Sequence, residues 1–109
     1  MKKIQLLYFL ILISCGVINA QQLNVDSLLV ETINNVKKGR YSQAKQQAYQ
    51  ALRETPDYVD FKLFLGRSHQ MTKQPDSARY YYKQVIEQTP NYKDAYKFWS
   101  SLEIDEKRY

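Results

Sequence analysis

The chain has 109 residues, 44% hydrophobic and 25% charged, and a net charge of +5. That is room for one domain, with the balance of a folded chain rather than a disordered one. A single Cys excludes a disulfide framework, and a single His argues against a multi-His metal site.

The first twenty residues read as an export signal. Lys2 and Lys3 precede an apolar run, Ile4 to Ile13, that only Gln5 interrupts strongly, and Ser14, Cys15 and Gly16 follow. A basic start, an apolar core of about ten residues and a small residue before the break are the parts of a secretory signal. The run falls short of the roughly 20 residues that span a bilayer. The best cleavage site follows Ala20, with Ile18 at the accessory position. A competing reading takes Leu12-Ile13-Ser14-Cys15, which resembles a bacterial lipobox and would make Cys15 a lipidated outer-membrane anchor. An uncleaved anchor is a third. The first two both carry the chain out of the bacterial cytoplasm, free in the periplasm or tethered. Cleavage after Ala20 leaves 89 residues and removes two lysines, so the charge falls to +3. That is too mild for a nucleic-acid partner, which calls for a clustered basic stripe.

The rest of the chain carries apolar stripes at helical spacing. A first helix over Asp26–Lys37 meets a Lys38-Gly39-Arg40 turn, where Gly39 suits the left-handed residue that ends a helix. Tyr41–Glu54 follows, with Ala44, Ala48, Ala51 and Leu52 inward. In Asp60–Thr72 one face collects Phe61, Phe64, Leu65, Ser68 and Met71. Lys73-Gln74-Pro75-Asp76 breaks that helix, and Pro75 fits the first turn of the next. Ala78, Tyr81, Tyr82, Val85 and Ile86 then form a stripe that ends by Gln88. The last segment, Tyr92–Lys107, sets Ala95, Phe98, Trp99 and Leu102 on one side. Nothing after Asn91 alternates with period two, as barrel strands do.

These segments repeat with a step of 34. Pro56 and Pro90 are 34 apart, as are Ala44 and Ala78, Ala51 and Val85, and Leu52 and Ile86. Thr55-Pro56-Asp57-Tyr58 reads against Thr89-Pro90-Asn91-Tyr92, and Asp26, Asp60 and Asp94 form a ladder with the same step. Units of about 25–58 and 59–92 and a partial unit over 93–109 follow, an all-α stack of antiparallel hairpins over residues 24–109.

A 34-residue helix–turn–helix unit with these residues resembles the tetratricopeptide repeat. The middle unit shows Lys62-x2-Leu65-Gly66-x2-His69, then Ala78-x3-Tyr82, then Pro90, with Lys62 and His69 departing from the family's Trp and Tyr. The first unit keeps Ala44, Pro56 and Gly39 but has Leu28, Glu31, Thr32 and Asn35 where the pattern wants Trp, Leu, Gly and Tyr. The third has Tyr96, Trp99 and Ser100. The resemblance implies a right-handed solenoid of about two and a half repeats that binds protein and does no chemistry. An exported start before two such repeats, with Leu65-Gly66-Arg67 and Pro90-Asn91-Tyr92-x-Asp94-Ala95, is also similar to the periplasmic leader of YaiO-type outer-membrane β-barrel proteins. This chain shows no barrel strands, so it would be a truncated or split relative.

No nucleophile with a nearby base, phosphate loop or metal-ligand spacing is present, so neither a catalytic role nor a cofactor nor a small-molecule substrate is expected. His69 is expected to pack half-buried, and Asp60 and Asp94 to complement helix dipoles. In the repeat family the first helix of each unit lines a concave face. Here that face should carry Asp26, Leu29 and Ile33, then Asp60, Leu63, Arg67 and Gln70, then Asp94, Lys97 and Ser101, a mixture suited to an extended peptide or a partner helix in the cell envelope. Leu29 and Ile33 exclude the polar clamp that some members use for a C-terminal carboxylate. Ten tyrosines leave open a glycan-binding alternative, although Tyr80, Tyr81 and Tyr82 spread around one helix and cannot share a face. Tyr92–Lys107 either caps the stack with Glu103, Asp105, Glu106, Lys107 and Arg108, or leaves Phe98 and Trp99 as a sticky end.

Overall fold

A computed structural model describes residues 23–107. The expected signal over residues 1–20, with its Ala20 cleavage site and Cys15, lies outside the described residues, as do Arg108 and Tyr109. Among the described residues five helices follow one another: α1 Val25–Lys37, α2 Tyr41–Glu54, α3 Val59–Met71, α4 Pro75–Gln88 and α5 Lys93–Glu106. There is no strand among the described residues. The all-α repeat expected from the 34-residue step is the fold observed.

The helix ends are set by local chemistry. Asn24 caps α1, its Oδ1 accepting from the Ser27 N–H at 3.2 Å. Asp26, Asp60, Asp76 and Asp94 sit in the first turns of α1, α3, α4 and α5, where the helix dipole favours an acid. Pro75 opens α4 without losing a helical bond. The first helix of each hairpin ends in one motif. Arg40 N–H reaches Asn35 O at 2.8 Å across Gly39, and Gln74 N–H reaches His69 O at 2.9 Å across Lys73. Both closures need a left-handed residue, with φ 76 at Gly39 and φ 60 at Lys73. Gly39 meets the sequence expectation. Lys73, one repeat on in register, takes the same conformation with a side chain. The second helices end at Thr55 and Thr89, each followed by a proline that cannot continue the ladder.

The stack has two cores that share α3. Leu28, Ala48, Ala51, Phe61 and Leu65 form one; Leu63, Ala78, Tyr82, Val85, Ala95 and Leu102 form the other. Ala44, Ala48, Ala51 and Ala78 are all fully buried, so neighbouring helices approach closely where they sit. Leu52, Tyr81 and Ile86 are half-buried against these cores, as the stripes imply. Phe98 and Trp99 also pack partly on the second core. Met71 departs from expectation: it is 43% exposed instead of inward. Its register explains the difference, because Lys37 and Asp105 hold the same repeat position and both face solvent.

Successive units are pinned by a recurring bond. The Tyr58 hydroxyl donates to Asp26 at 2.7 Å, and one repeat later the Tyr92 hydroxyl donates to Asp60. These acids therefore do more than complement a dipole: each receives the tyrosine that opens the next unit. The bond to Asp26 raises the pKa of the Tyr58 hydroxyl, and burial followed by the bond to Asp60 raises that of Tyr92, so both stay protonated donors. Arg79 Nε adds a 2.6 Å bond to Glu103, which holds that carboxyl below the usual range and ties α4 to α5.

Candidate partner-binding face

The curvature of the stack defines the candidate site. The backbones of neighbouring first helices approach closely, α1 to α3 and α3 to α5, whereas α2 and α4 stand farther apart and meet through side chains such as Tyr49 and Tyr81. A stack that is tighter on one side bends toward it, so the first helices line the inner face.

The residues expected on that face meet different fates. Leu29 and Ile33 are half-buried on α1, with Leu29 resting on the first core. Asp94 and Lys97 are exposed on α5. Asp60 is occupied by Tyr92. Leu63 is a correction: it is fully buried in the second core and meets no partner, because α4 and α5 both close over that side of α3. Arg67 is half-buried, its guanidinium 4.9 Å from the centre of the Phe98 ring, so its charge already serves the α3–α5 seam. Gln70 is only 9% exposed. Its amide is satisfied when the nitrogen donates to the Tyr82 hydroxyl at 2.7 Å and the oxygen accepts from Arg67 at 3.2 Å. Ser101 Oγ lies 3.4 Å from the same amide. Arg67, Gln70, Ser101 and Tyr82 thus form an internal polar network along the inner seam rather than a row of free contacts.

What remains open lies toward the ends of the helices. A depression of about 420 Å³ runs between the C-terminal ends of α3 and α5, walled by Gln70, Met71, Lys73, Leu102, Asp105 and Glu106. It pairs an exposed thioether with one base and two acids, a combination that accommodates a mixed peptide side chain. Met71, Lys73, Asp105 and Glu106 were missing from the sequence expectation. The charged partners of Met71 at its repeat position were the available signal.

His69 packs as expected. It is 7% exposed, lies parallel to Tyr81 with ring centroids 5.6 Å apart, and is held from both nitrogens. Nδ1–H donates to Gln74 Oε1 at 2.6 Å, which leaves Nε2 to accept from the Tyr49 hydroxyl at 3.0 Å. Burial lowers its pKa, partly offset by Gln74, and Lys45 lowers it further. Among the tyrosines, Tyr82 is fully buried, Tyr81 is half-buried against His69 and Tyr80 is 59% exposed. The consecutive rings offer no shared platform for a sugar. No group of three His, Cys, Asp or Glu among the described residues could hold a metal, and no described helix is long and apolar enough to cross a membrane.

Curved stacking of antiparallel helix pairs at a fixed step defines the class: a helical-repeat solenoid. Residues 36–98, more than half of the chain, match the tetratricopeptide repeat family. The chain belongs to that family, whose repeats generally mediate protein–protein interaction on a typically non-catalytic scaffold. Comparison with curated proteins and with solved structures gives no match.

Proposed function

We propose that the chain is an exported, non-catalytic binding module of the bacterial cell envelope that holds a peptide or helix of a protein partner on its inner face. The observation that carries this reading is the open depression at Met71, Lys73, Asp105 and Glu106, with exposed Lys97 and half-buried Ile33 and Leu29 elsewhere on the first helices. Apolar and charged atoms of both signs meet there, as extended-peptide recognition requires. Residues 1–20 supply the export reading, with a lipid on Cys15 as the tethered variant. Kinship with the periplasmic leaders of YaiO-type barrels rests on sequence resemblance, and a neighbouring reading frame coding for amphipathic barrel strands would support it.

A photo-crosslinking residue placed at Lys97, on the inner face, is expected to trap one partner in cells. The same residue at Arg53, exposed on the second helix of the first hairpin, should trap none. Equal capture at both sites, or none at either, would remove the inner face as the site. Mass spectrometry of the protein recovered from the envelope settles its attachment: a start at Gln21 marks a free periplasmic protein, a lipid mass on Cys15 a tethered one.

A further inference from the structure

The 34-residue register makes the helices comparable position by position. In the second hairpin, α4 lies across Leu65, Gly66 and His69 of α3. A Cβ added at Gly66 would come within 2.7 Å of the Tyr82 ring and 3.3 Å of Tyr81 Cβ, so the large Tyr82 fits only because Gly66 has no side chain. The first hairpin solves the same contact in reverse. Thr32 stands in the Gly66 register, Ala48 in the Tyr82 register, and both are fully buried. The bulk has moved from one helix to the other.

The corresponding face of α5 carries Tyr96, Trp99, Ser100, Glu103 and Ile104. Among the described residues no helix covers it, although Arg79 of α4 reaches its edge at Glu103, and it encloses an open depression of about 350 Å³. Tyr96 and Ile104 are 45% and 53% exposed. Tyr96 is fixed in place, its hydroxyl donating to Pro90 O at 2.6 Å, and Trp99 rests on the second core. The other end of the stack is finished differently. There α1 turns Ser27, Val30 and Asn34 to solvent in the registers of Phe61, Phe64 and Ser68, so polar residues dominate.

We propose that this face of α5 seats one amphipathic helix of a protein partner, docked as α2 docks on α1, with alanine at the position that meets Ser100. The size rule chooses the occupant. Ser100 has a Cβ and an Oγ, like Thr32 and unlike Gly66, so it excludes an aromatic residue and accepts a methyl. The seat continues the helix-pair interface already made twice within the chain, and it is separate from the inner face discussed above.

Trp99 is the only tryptophan and reports on the seat directly. The probe is a peptide of residues 40–55, held helical by a hydrocarbon staple at positions 42 and 46, both exposed in the fold. It is expected to shift Trp99 emission saturably. A peptide of residues 74–89, stapled at positions 83 and 87 and presenting Tyr82, should bind at least tenfold more weakly, as should the 40–55 peptide carrying Ala48→Tyr. In the protein, Ser100→Tyr should also weaken binding at least tenfold with helicity unchanged, and the altered peptides ask the same question of the unaltered protein. No emission change with the 40–55 peptide, equal binding of all three peptides, or insensitivity to Ser100→Tyr would overturn the proposal. So would a concentration-dependent dimer that Ser100→Tyr abolishes, because the occupant would then be a second copy of this chain.

Discussion

At the scale of single residues, two positions carry consequences that their neighbours in register do not. Lys73 closes α3 in the left-handed region, where a side chain costs about 1–2 kcal/mol relative to glycine. Lys73→Gly is expected to raise stability by about 1 kcal/mol after the greater freedom of glycine in the unfolded chain is allowed for. The urea midpoint should rise with an unchanged slope; a lower midpoint would show that the Lys73 side chain contributes elsewhere. His69 is the second. Its folded pKa is lowered by burial, so the unfolded chain takes up the proton more readily. Stability is therefore full above the unfolded value of about 6.5 and is lost as pH falls through the lowered folded value. The melting temperature should hold between pH 8 and about 7 and decline from about 6.5 toward 5. His69→Tyr, which restores the residue of the family pattern, should flatten that decline. Both features are half-legible in the sequence. The register of Gly39 points to Lys73, and the Tyr position of the repeat points to a packed His69. Gln74 lies in the closing turn five residues on, but the bond from Tyr49 comes from another helix and leaves no local trace.

Between helices, the alanines decide how close neighbours come. Ala78 has no exposed surface and packs in the core shared with Leu63, Ala95 and Leu102. Ala78→Leu must push α4 away or force strained rotamers, at about 1–3 kcal/mol. A melting temperature equal to that of the parent would contradict the close contact assigned to it. Arg67 belongs at this scale too. The sequence places it on an inner face, free for a partner. Its stacking over Phe98 and its bond to Gln70 make it part of the α3–α5 seam. Arg67→Glu is therefore expected to lower stability by about 0.5–1 kcal/mol, the worth of an exposed cation–π contact. Lys97, with no such engagement, is the better probe of binding.

In the whole stack α3 is the keystone, since it touches every other helix and contributes to both cores. Leu63→Ala should cost about 2–5 kcal/mol, and Leu28→Ala, 9% exposed at the end of the stack, less. Native-state hydrogen exchange should be slowest in α3 and faster in α1 and α5, each of which lacks a covering neighbour on one side among the described residues. Uniform protection across the five helices would mean that the stack opens only as one unit.

Sequence alone determined the helices, their turns and the 34-residue step. These depend on neighbours close along the chain: stripe spacing, Pro75, Gly39, and prolines after Thr55 and Thr89. Tertiary structure decided which way α3 faces. Its apolar residues run nearly around the helix because four other helices pack on it, so no single stripe marks an inside. Leu63 therefore went to the core, Met71 to the open face and Arg67 to the seam. The tyrosine–aspartate pins between units were likewise decided in space, because each joins residues 32 positions apart that only the stacked hairpins bring together.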